Sequence, residues 1–312
     1  MHIKRYLKKP ALIIPYLGKY GWFRWMSDEA YIKMVYRIYF GVYPDLEHPK
    51  NYSEKLNWLK LHDRQPQYTE IVDKYTVKQY ISGIIGEKYV VPTLGVWDRF
   101  EDIDFDALPN QFVLKCTHDS GGLVICRDKS RLDKAKARRK ISASLKRNYF
   151  WIGREWPYKN VKPRIIAEPY LEDTRYGELR DYKFYVFDGV VDSVMVCKDR
   201  QKGHTKYFYF DRNWNRLYYQ WDDLEFQDDI ERPEHFDEML DIAQRLSYSF
   251  SHIRVDLYNV DGSIYFSELT LYDDAGFDTE INGETNRMWG EKLDERRGLA
   301  VQEAAVCLGM EK

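Results

Sequence analysis

Cysteine is scarce in this chain. There are four in 312 residues (Cys116, Cys126, Cys197 and Cys307), with no CxxC pair. That excludes the spaced-thiolate zinc and redox motifs and points to reduced thiols in a cytoplasmic setting. Long apolar runs are missing as well. The N-terminal run from Ala11 to Leu17 is interrupted by Pro15. It is far short of the roughly 20 residues a membrane-spanning helix needs, and no small-residue cleavage site follows it, so neither a span nor a secretory signal is expected. Net charge is nearly absent, with 48 basic against 50 acidic residues. The global field therefore favours no polyanion, and nucleic acid is not an expected partner. The GxxxxGK[ST] phosphate loop, the Rossmann glycine fingerprint, an evident Ser-His-Asp set, internal repeats and low-complexity segments are all lacking.

What remains is a charged, aromatic, globular chain long enough for about two domains. Most of its 26 Tyr and 9 Trp are expected at core and half-buried strand positions, with ring stacking on carbohydrate or nucleotide as the functional alternative. Residues 1–25 combine Lys, Arg and aromatics, a pattern that suits either an anionic membrane surface or a helix packed on the body of the protein.

Residues 1–70 read as helical. In "DEAYIKMVYRIYFG" Tyr31, Met34, Val35 and Ile38 recur at helical spacing behind Asp28, and "SEKLNWLKLHDR" is opened by Ser53. "YTEIVDKYTVKQYISGIIG" continues as a helical pattern ending at Gly86. The basic stretch with nine Lys or Arg between Lys129 and Arg147 predicts a helix with a solvated face. From Pro163 the character turns to strands, interrupted by one amphipathic helix carrying Phe236, Met239, Leu240, Ile242, Ala243 and Leu246. Hairpins mixed with helices predict an α+β architecture, not a doubly wound parallel sheet.

Three stretches carry chemistry. In "NQFVLKCTHDSGGLVIC" Lys115 ends a strand, and the loop His118, Asp119, Ser120, Gly121, Gly122 follows. Glycines let backbone approach a ligand, successive N–H groups can cradle phosphate, and a lysine beside them adds a point charge. Lys74 and Lys78 lie upstream in the same unit. In "RIIAEPYLED" an apolar strand meets Glu168 and then Pro169, where the ladder is interrupted beside an apolar surface that would suit an adenine edge. "RDYKF" places Asp181 and Lys183 on one strand face. The hairpin "HIRVDLYNVDGSIYFSELTLY" places Arg254, Asp256 and Tyr258 on one face, and Ile264, Phe266, Glu268 and Thr270 on one face of the next strand. Acids and an arginine at such positions make sense as a cation site for Mg²⁺. A three-residue turn, Val260 to Gly262, is expected, because it would bring Asp256 and Glu268 to the same side.

Together with "LNWLKLHDR", "VDKY", "REWPYKNVKPRIIAE" and "ELT", these motifs resemble the TupA-like branch of the ATP-grasp superfamily, linked to teichuronopeptide and other cell-surface polysaccharide synthesis, over roughly residues 50–280. The resemblance implies an ATP-grasp fold: a helical N-terminal region (1–70), a small subdomain (71–162), a large subdomain (163–295) and a C-terminal helix (296–312), with ATP held by the two subdomains. It implies Lys115, with Lys74, at the phosphates, the 118–122 loop covering them as a flap poorly ordered without nucleotide, and Glu168, Pro169, Tyr170 and Leu171 as the adenine hinge. Asp181 would meet the ribose, Lys183 and Arg254 the reacting groups, and Asp256, Glu268 and Thr270 one or two Mg²⁺. Thr270 departs from the Asn common at that position, and Asp273 or Asp274 could replace it. The implied reaction joins a carboxylate, such as a uronic acid or amino acid, to an amine through an acyl phosphate. The implied location is cytoplasmic, with residues 1–25 against the inner membrane or the polysaccharide machinery. Two other classes compete: a glycosyltransferase using Asp104-Phe105-Asp106 as a DxD metal motif, and a kinase-like ATP-binding protein.

Overall fold

The computed structural model describes residues 10–200 and 205–293. The expected C-terminal helix, Cys307 and the first nine residues lie outside them. The described chain is α+β, with helices and two antiparallel sheets. It divides into two compact units, one holding Gln65–Asp173 with the segment up to Ser27, the other Asp28–Arg64 with the chain from Thr174 on.

The first unit is built on a four-stranded sheet in the order β1 (Gly95–Trp97), β4 (Ile165–Pro169), β2 (Phe112–Cys116), β3 (Leu123–Cys126). Alternation along β2 buries Phe112, Leu114 and Cys116 against Ala137 and Ile141 of the basic helix Lys134–Leu145. Val113 and Lys115 take the opposite face, in register with Glu168 and Ile166 of β4. The helix shows water its Lys and Arg side chains, the solvated face the sequence predicts. The expected continuous helix across "YTEIVDKYTVKQYISGIIG" is broken into Gln67–Val72 and Val77–Ile85. At the break the Asp73 carboxylate accepts from the Tyr75 amide (2.9 Å) and pairs with Arg164 (2.6 Å), offering the backbone an alternative to the helix.

The second unit carries a six-stranded sheet, β10 (Ser263–Thr270), β9 (His252–Val260), β5 (Asp181–Phe187), β6 (Val190–Lys198), β7 (Lys206–Phe210), β8 (Arg216–Leu217). Helix Phe236–Ser247 covers one face with the six apolar residues expected of it. The helix Tyr52–His62 starts one residue earlier than Ser53 suggests. Its cap is Asn51, which accepts from the Glu54 amide (2.9 Å) while Glu54 accepts from the Asn51 amide (3.3 Å), a reciprocal capping box.

The last hairpin corrects the expected register. Its loop has two residues, Asp261 (φ 49°) and Gly262 (φ 83°), and pairs Val260 with Ser263. Both loop residues lie in the left-handed region that two-residue hairpin turns require. That register alone would turn Glu268 away from Asp256. A β-bulge between Phe266 and Glu268 reverses the phase, so that Glu268 lies opposite Asp256 and Thr270 opposite Arg254. Ile264 and Phe266 therefore do not share a face with Glu268 and Thr270. The cause is legible in the apolar spacing. Ile264, Phe266, Leu269 and Leu271 are all buried, and the step of three between Phe266 and Leu269 breaks the period of two. The extra residue lets every apolar side chain stay inside.

Candidate functional site

In the first unit the focus is Glu168, 5% exposed on β4. One carboxylate oxygen meets Lys78 Nζ (2.5 Å) and the other Lys115 Nζ (2.6 Å). Lys78 also donates to the Val91 carbonyl (2.8 Å) and the Thr93 hydroxyl (2.9 Å), so its three N–H groups are used and it is an anchor. Lys115 is more exposed than Lys78 and is the cation this arrangement presents. Two ammonium groups thus flank the Glu168 carboxylate. Burial works against ionisation of Glu168, but Lys115 and Lys78 outweigh it and hold its pKa below the usual carboxylate range. Burial likewise pushes the Lys78 pKa down, against the pull of Glu168.

Lys74 Nζ donates to the Asp119 carbonyl (2.8 Å) at the base of the 118–122 loop. The loop is tied from within. The buried Asp119 carboxylate accepts from the amides of Gly121 (3.2 Å) and Gly122 (2.9 Å) and from the Ser144 hydroxyl, and His118 Nε2 contacts the Ser144 carbonyl (3.2 Å). The two amides expected to cradle phosphate thus already have an acceptor. The glycines differ in purpose. A Cβ on Gly122 would lie 2.4 Å from Cys116 Sγ, so close packing demands glycine there, whereas a Cβ on Gly121 would meet only Arg147 and Asp119 side-chain atoms at 3.6 Å or more. Ser120 is exposed. Beyond Glu168, Pro169 still pairs with Phe112 in the ladder, and Tyr170 and Leu171 follow half-buried, with the Tyr170 hydroxyl buried and lacking a partner among the described residues.

In the second unit, register aligns charged residues across three strands. Lys183, Asp256 and Glu268 form one row, and Tyr185, Arg254 and Thr270 the next. Asp256, 1% exposed, accepts from Arg254 Nε (2.7 Å) on one oxygen and from Arg254 Nη2 (2.9 Å) and Lys183 Nζ on the other. Arg254 also donates to the Thr270 hydroxyl (3.0 Å) and to Asp273, whose second oxygen accepts from the Tyr185 hydroxyl (2.7 Å). Asp181 pairs with Arg200. Burial is the largest influence on Asp256 and opposes its charge, yet Arg254 and Lys183 together hold its pKa low. Burial and Arg254 oppose the charge on Lys183, but Asp256 and Asp181 prevail and raise its pKa.

These contacts engage the residues expected to hold the metal. Asp256, Glu268 and Thr270 share a face and offer hard oxygen donors, but both Asp256 oxygens hold cations and Thr270 accepts from Arg254. Among the described residues no group of three or more His, Cys, Asp or Glu side chains is disposed to hold a metal ion. In this arrangement Arg254 and Lys183 hold the Asp256 oxygens that Mg²⁺ would take, and Asp273 holds Arg254 and Tyr185. Asp104-Phe105-Asp106 is a turn in which Asp104 caps the amides of Asp106 (3.0 Å) and Ala107 (3.3 Å).

Lys78, Tyr185 and Arg200 complete these clusters beyond the residues singled out for roles, and Asp273, expected as a substitute metal ligand, enters as the partner of Arg254 and Tyr185. Lys78 carried a signal, standing one helical turn after Lys74; Arg200 carried none, because its partner Asp181 is reached only through the fold.

The chain is thus α+β with two antiparallel sheets, one carrying a Glu–Lys pair and the other an Arg–Asp–Lys cluster. The chain belongs to the TupA-like ATP-grasp family, whose profile matches residues 54–294. No curated protein matches it. Among solved structures it is similar to D-alanine–D-alanine ligase from Bacillus anthracis complexed with ATP, at 18% identity and a TM-score of 0.37, over 65% of this chain and 54% of that one. It is also similar to the ATP-grasp ligase PsnB complexed with a phosphomimetic variant of its minimal precursor, Mg and ADP (14%, TM-score 0.44, 77% and 65%). A third is D-cycloserine synthetase DcsG (16%, TM-score 0.39, 72% and 71%). The match thus spans about half the length of the Bacillus anthracis ligase.

Proposed function

We propose that this chain is an ATP-dependent carboxylate–amine ligase of cell-surface polysaccharide biosynthesis. The supporting observation is the pairing of Lys115 with buried Glu168 in a chain of the TupA-like ATP-grasp family. Glu168 orients Lys115 toward the nucleotide phosphates, and Glu168 to Leu171 border the adenine. In the second unit Arg254 has four of its five N–H donors committed to Asp256, Thr270 and Asp273. It is a rigid cation with one donor on Nη1 left for a phosphoryl oxygen. A substrate carboxylate oxygen attacks the γ-phosphorus and ADP departs. An amine then attacks the acyl carbon, loses a proton and expels inorganic phosphate, leaving an amide. The 118–122 loop contributes phosphate contacts only if Asp119 releases the two glycine amides. Uronic acids and amino acids are the proposed carboxylates.

The test is ADP release, with magnesium supplied, screened across uronic and amino acids paired with amines, with products identified by mass. The expected result is an amide product and turnover lost in Lys115→Met. ATP binding with no ADP release for any pair, or a stable phosphorylated product, would overturn the ligase reading; the latter makes the protein a kinase.

Contact with an anionic membrane is proposed through Trp22 (66% exposed) and Trp25 (80% exposed), which stand beside Arg24 in a segment without acidic residues before Asp28. No helix among the described residues is long and apolar enough to cross a membrane. Vesicles containing phosphatidylglycerol should retain the protein and Trp22→Ala/Trp25→Ala should not be retained; equal retention of both would refute the contact.

A further inference from the structure

The turn after β10 has an unusual backbone. Asp274 (φ 42°, ψ 38°), Ala275 (φ 53°, ψ 26°) and Gly276 (φ 72°) are three consecutive left-handed residues. For the two that carry a Cβ this conformation is strained. Such a turn persists only where its surroundings over-determine it. Here they come from helix Tyr52–His62, the "LNWLKLH" stretch whose polar residues serve no role described so far. Asn57 Nδ2 donates to the Gly276 carbonyl (2.8 Å) and Lys60 Nζ to the Ala275 carbonyl (2.7 Å). Both side chains belong to residues with 0% exposure, and the Lys60 ammonium also lies 4.2 Å from the Phe277 ring centroid. The fit is close: a Cβ on Gly276 would stand 2.9 Å from Asn57 Nδ2 and 3.2 Å from Leu56 Cβ.

Asn57 Nδ2 also donates to the Ser53 carbonyl of its own helix (2.8 Å), but a buried lysine and asparagine that both reach loop carbonyls are an expensive way to pack a helix. What the turn controls is Asp273, the residue at its start, which meets Arg254 with one oxygen and the Tyr185 hydroxyl with the other. We infer that Asn57 and Lys60 are positioning residues: they hold the left-handed turn Asp274–Gly276 so that Asp273 fixes Arg254 in the orientation the phosphoryl group meets. The catalytic consequence rests on the ligase reading; the coupling of Lys60 to Arg254 does not.

The experiment compares Lys60→Gln, Asn57→Leu, Asp273→Asn and the double variant Lys60→Gln/Asp273→Asn, each checked for folding by circular dichroism. In the ADP-release assay Lys60→Gln should lower kcat about 10-fold to 100-fold with the KM for ATP within about twofold, as expected for misplacement of a reacting group. The double variant should be no slower than Asp273→Asn alone; losses that multiply would overturn the inference. Lys60→Gln is the milder change, retaining a donor if Asn57→Leu fails to fold. A readout independent of turnover is the ¹⁵N–¹H signal of Arg254 Nε, assigned by its loss in Arg254→Lys. It should shift in Lys60→Gln, and an unmoved signal would overturn the inference. If the wild-type chain turns over no substrate, the ligase reading fails while this signal still decides the coupling.

Discussion

Replacing Glu168 by Gln isolates the electrostatics of the first unit. The carboxylate is buried and pairs with Lys78 and Lys115 at 2.5 and 2.6 Å. Removing one partner of a buried ion pair costs about 3–5 kcal/mol, chiefly because a cation is stranded. Here two cations lose their partner, but not equally. The Lys115 side chain is 24% exposed and can turn toward water, whereas that of Lys78 is 14% exposed and pinned to Val91 and Thr93. One stranded ammonium is therefore the better count, and the expected loss is about 3 kcal/mol. The sign with pH follows from the depressed pKa of Glu168. Its contribution is present in full above the unfolded carboxylate value of about 4.3 and is lost as pH falls through the folded value. Urea unfolding of wild type and Glu168→Gln should thus differ by about 3 kcal/mol at pH 7, and the difference should shrink as pH falls below the unfolded value of about 4.3. A difference below about 0.5 kcal/mol at pH 7, or one that does not shrink on acidification, would refute the assignment of Glu168 as the counter-charge of both lysines. Companion variants separate the lysines: Lys78→Met should lower stability, while Lys115→Met should leave stability nearly intact and abolish turnover.

Deleting Ser267, the extra residue, should leave a regular ladder with Glu268 still opposite Asp256 and Leu269 still buried, so thermal unfolding should show a loss of about 1 kcal/mol at most; a collapse of the melting temperature would show that another residue carries the bulge. Asp119→Ala strands the Gly121 and Gly122 amides and should cost about 1–3 kcal/mol, with faster hydrogen exchange at both amides; unchanged exchange would mean that the loop is held by other contacts. Asp278 has its pKa raised to about 7 by burial and by Asp273. Its folded value lies above its unfolded one, so wild-type stability should decline as pH rises from about 4 to about 7 and then level off. Asp278→Asn should lack that decline, and parallel melting curves at pH 5, 6, 7 and 8 would refute the shift.

Much of this protein is written in local periodicity. Strand alternation put Lys115 on the face opposite Leu114 and aligned Asp181 with Lys183 and Arg254 with Asp256, because a period of two is local geometry. The 3.6-residue pattern named the buried face of helix Phe236–Ser247 for the same reason. Motif wording identified the family before any contact was known. Tertiary structure decided the partners. Glu168 could be read as an adenine neighbour from "RIIAEP", but its placement between Lys78 and Lys115 depends on a helix and a strand distant in the chain. The glycine loop reads as an open cradle until Asp119 and Ser144 close it. Glu268 reached Asp256 not through the expected turn but through a bulge, a compromise between two-residue turn geometry and the burial of Phe266 and Leu269. Periodicity is a property of each strand alone. Pairing, charge neutralisation and the left-handed turn held by Asn57 and Lys60 arise only when segments far apart in sequence compete for the same polar atoms.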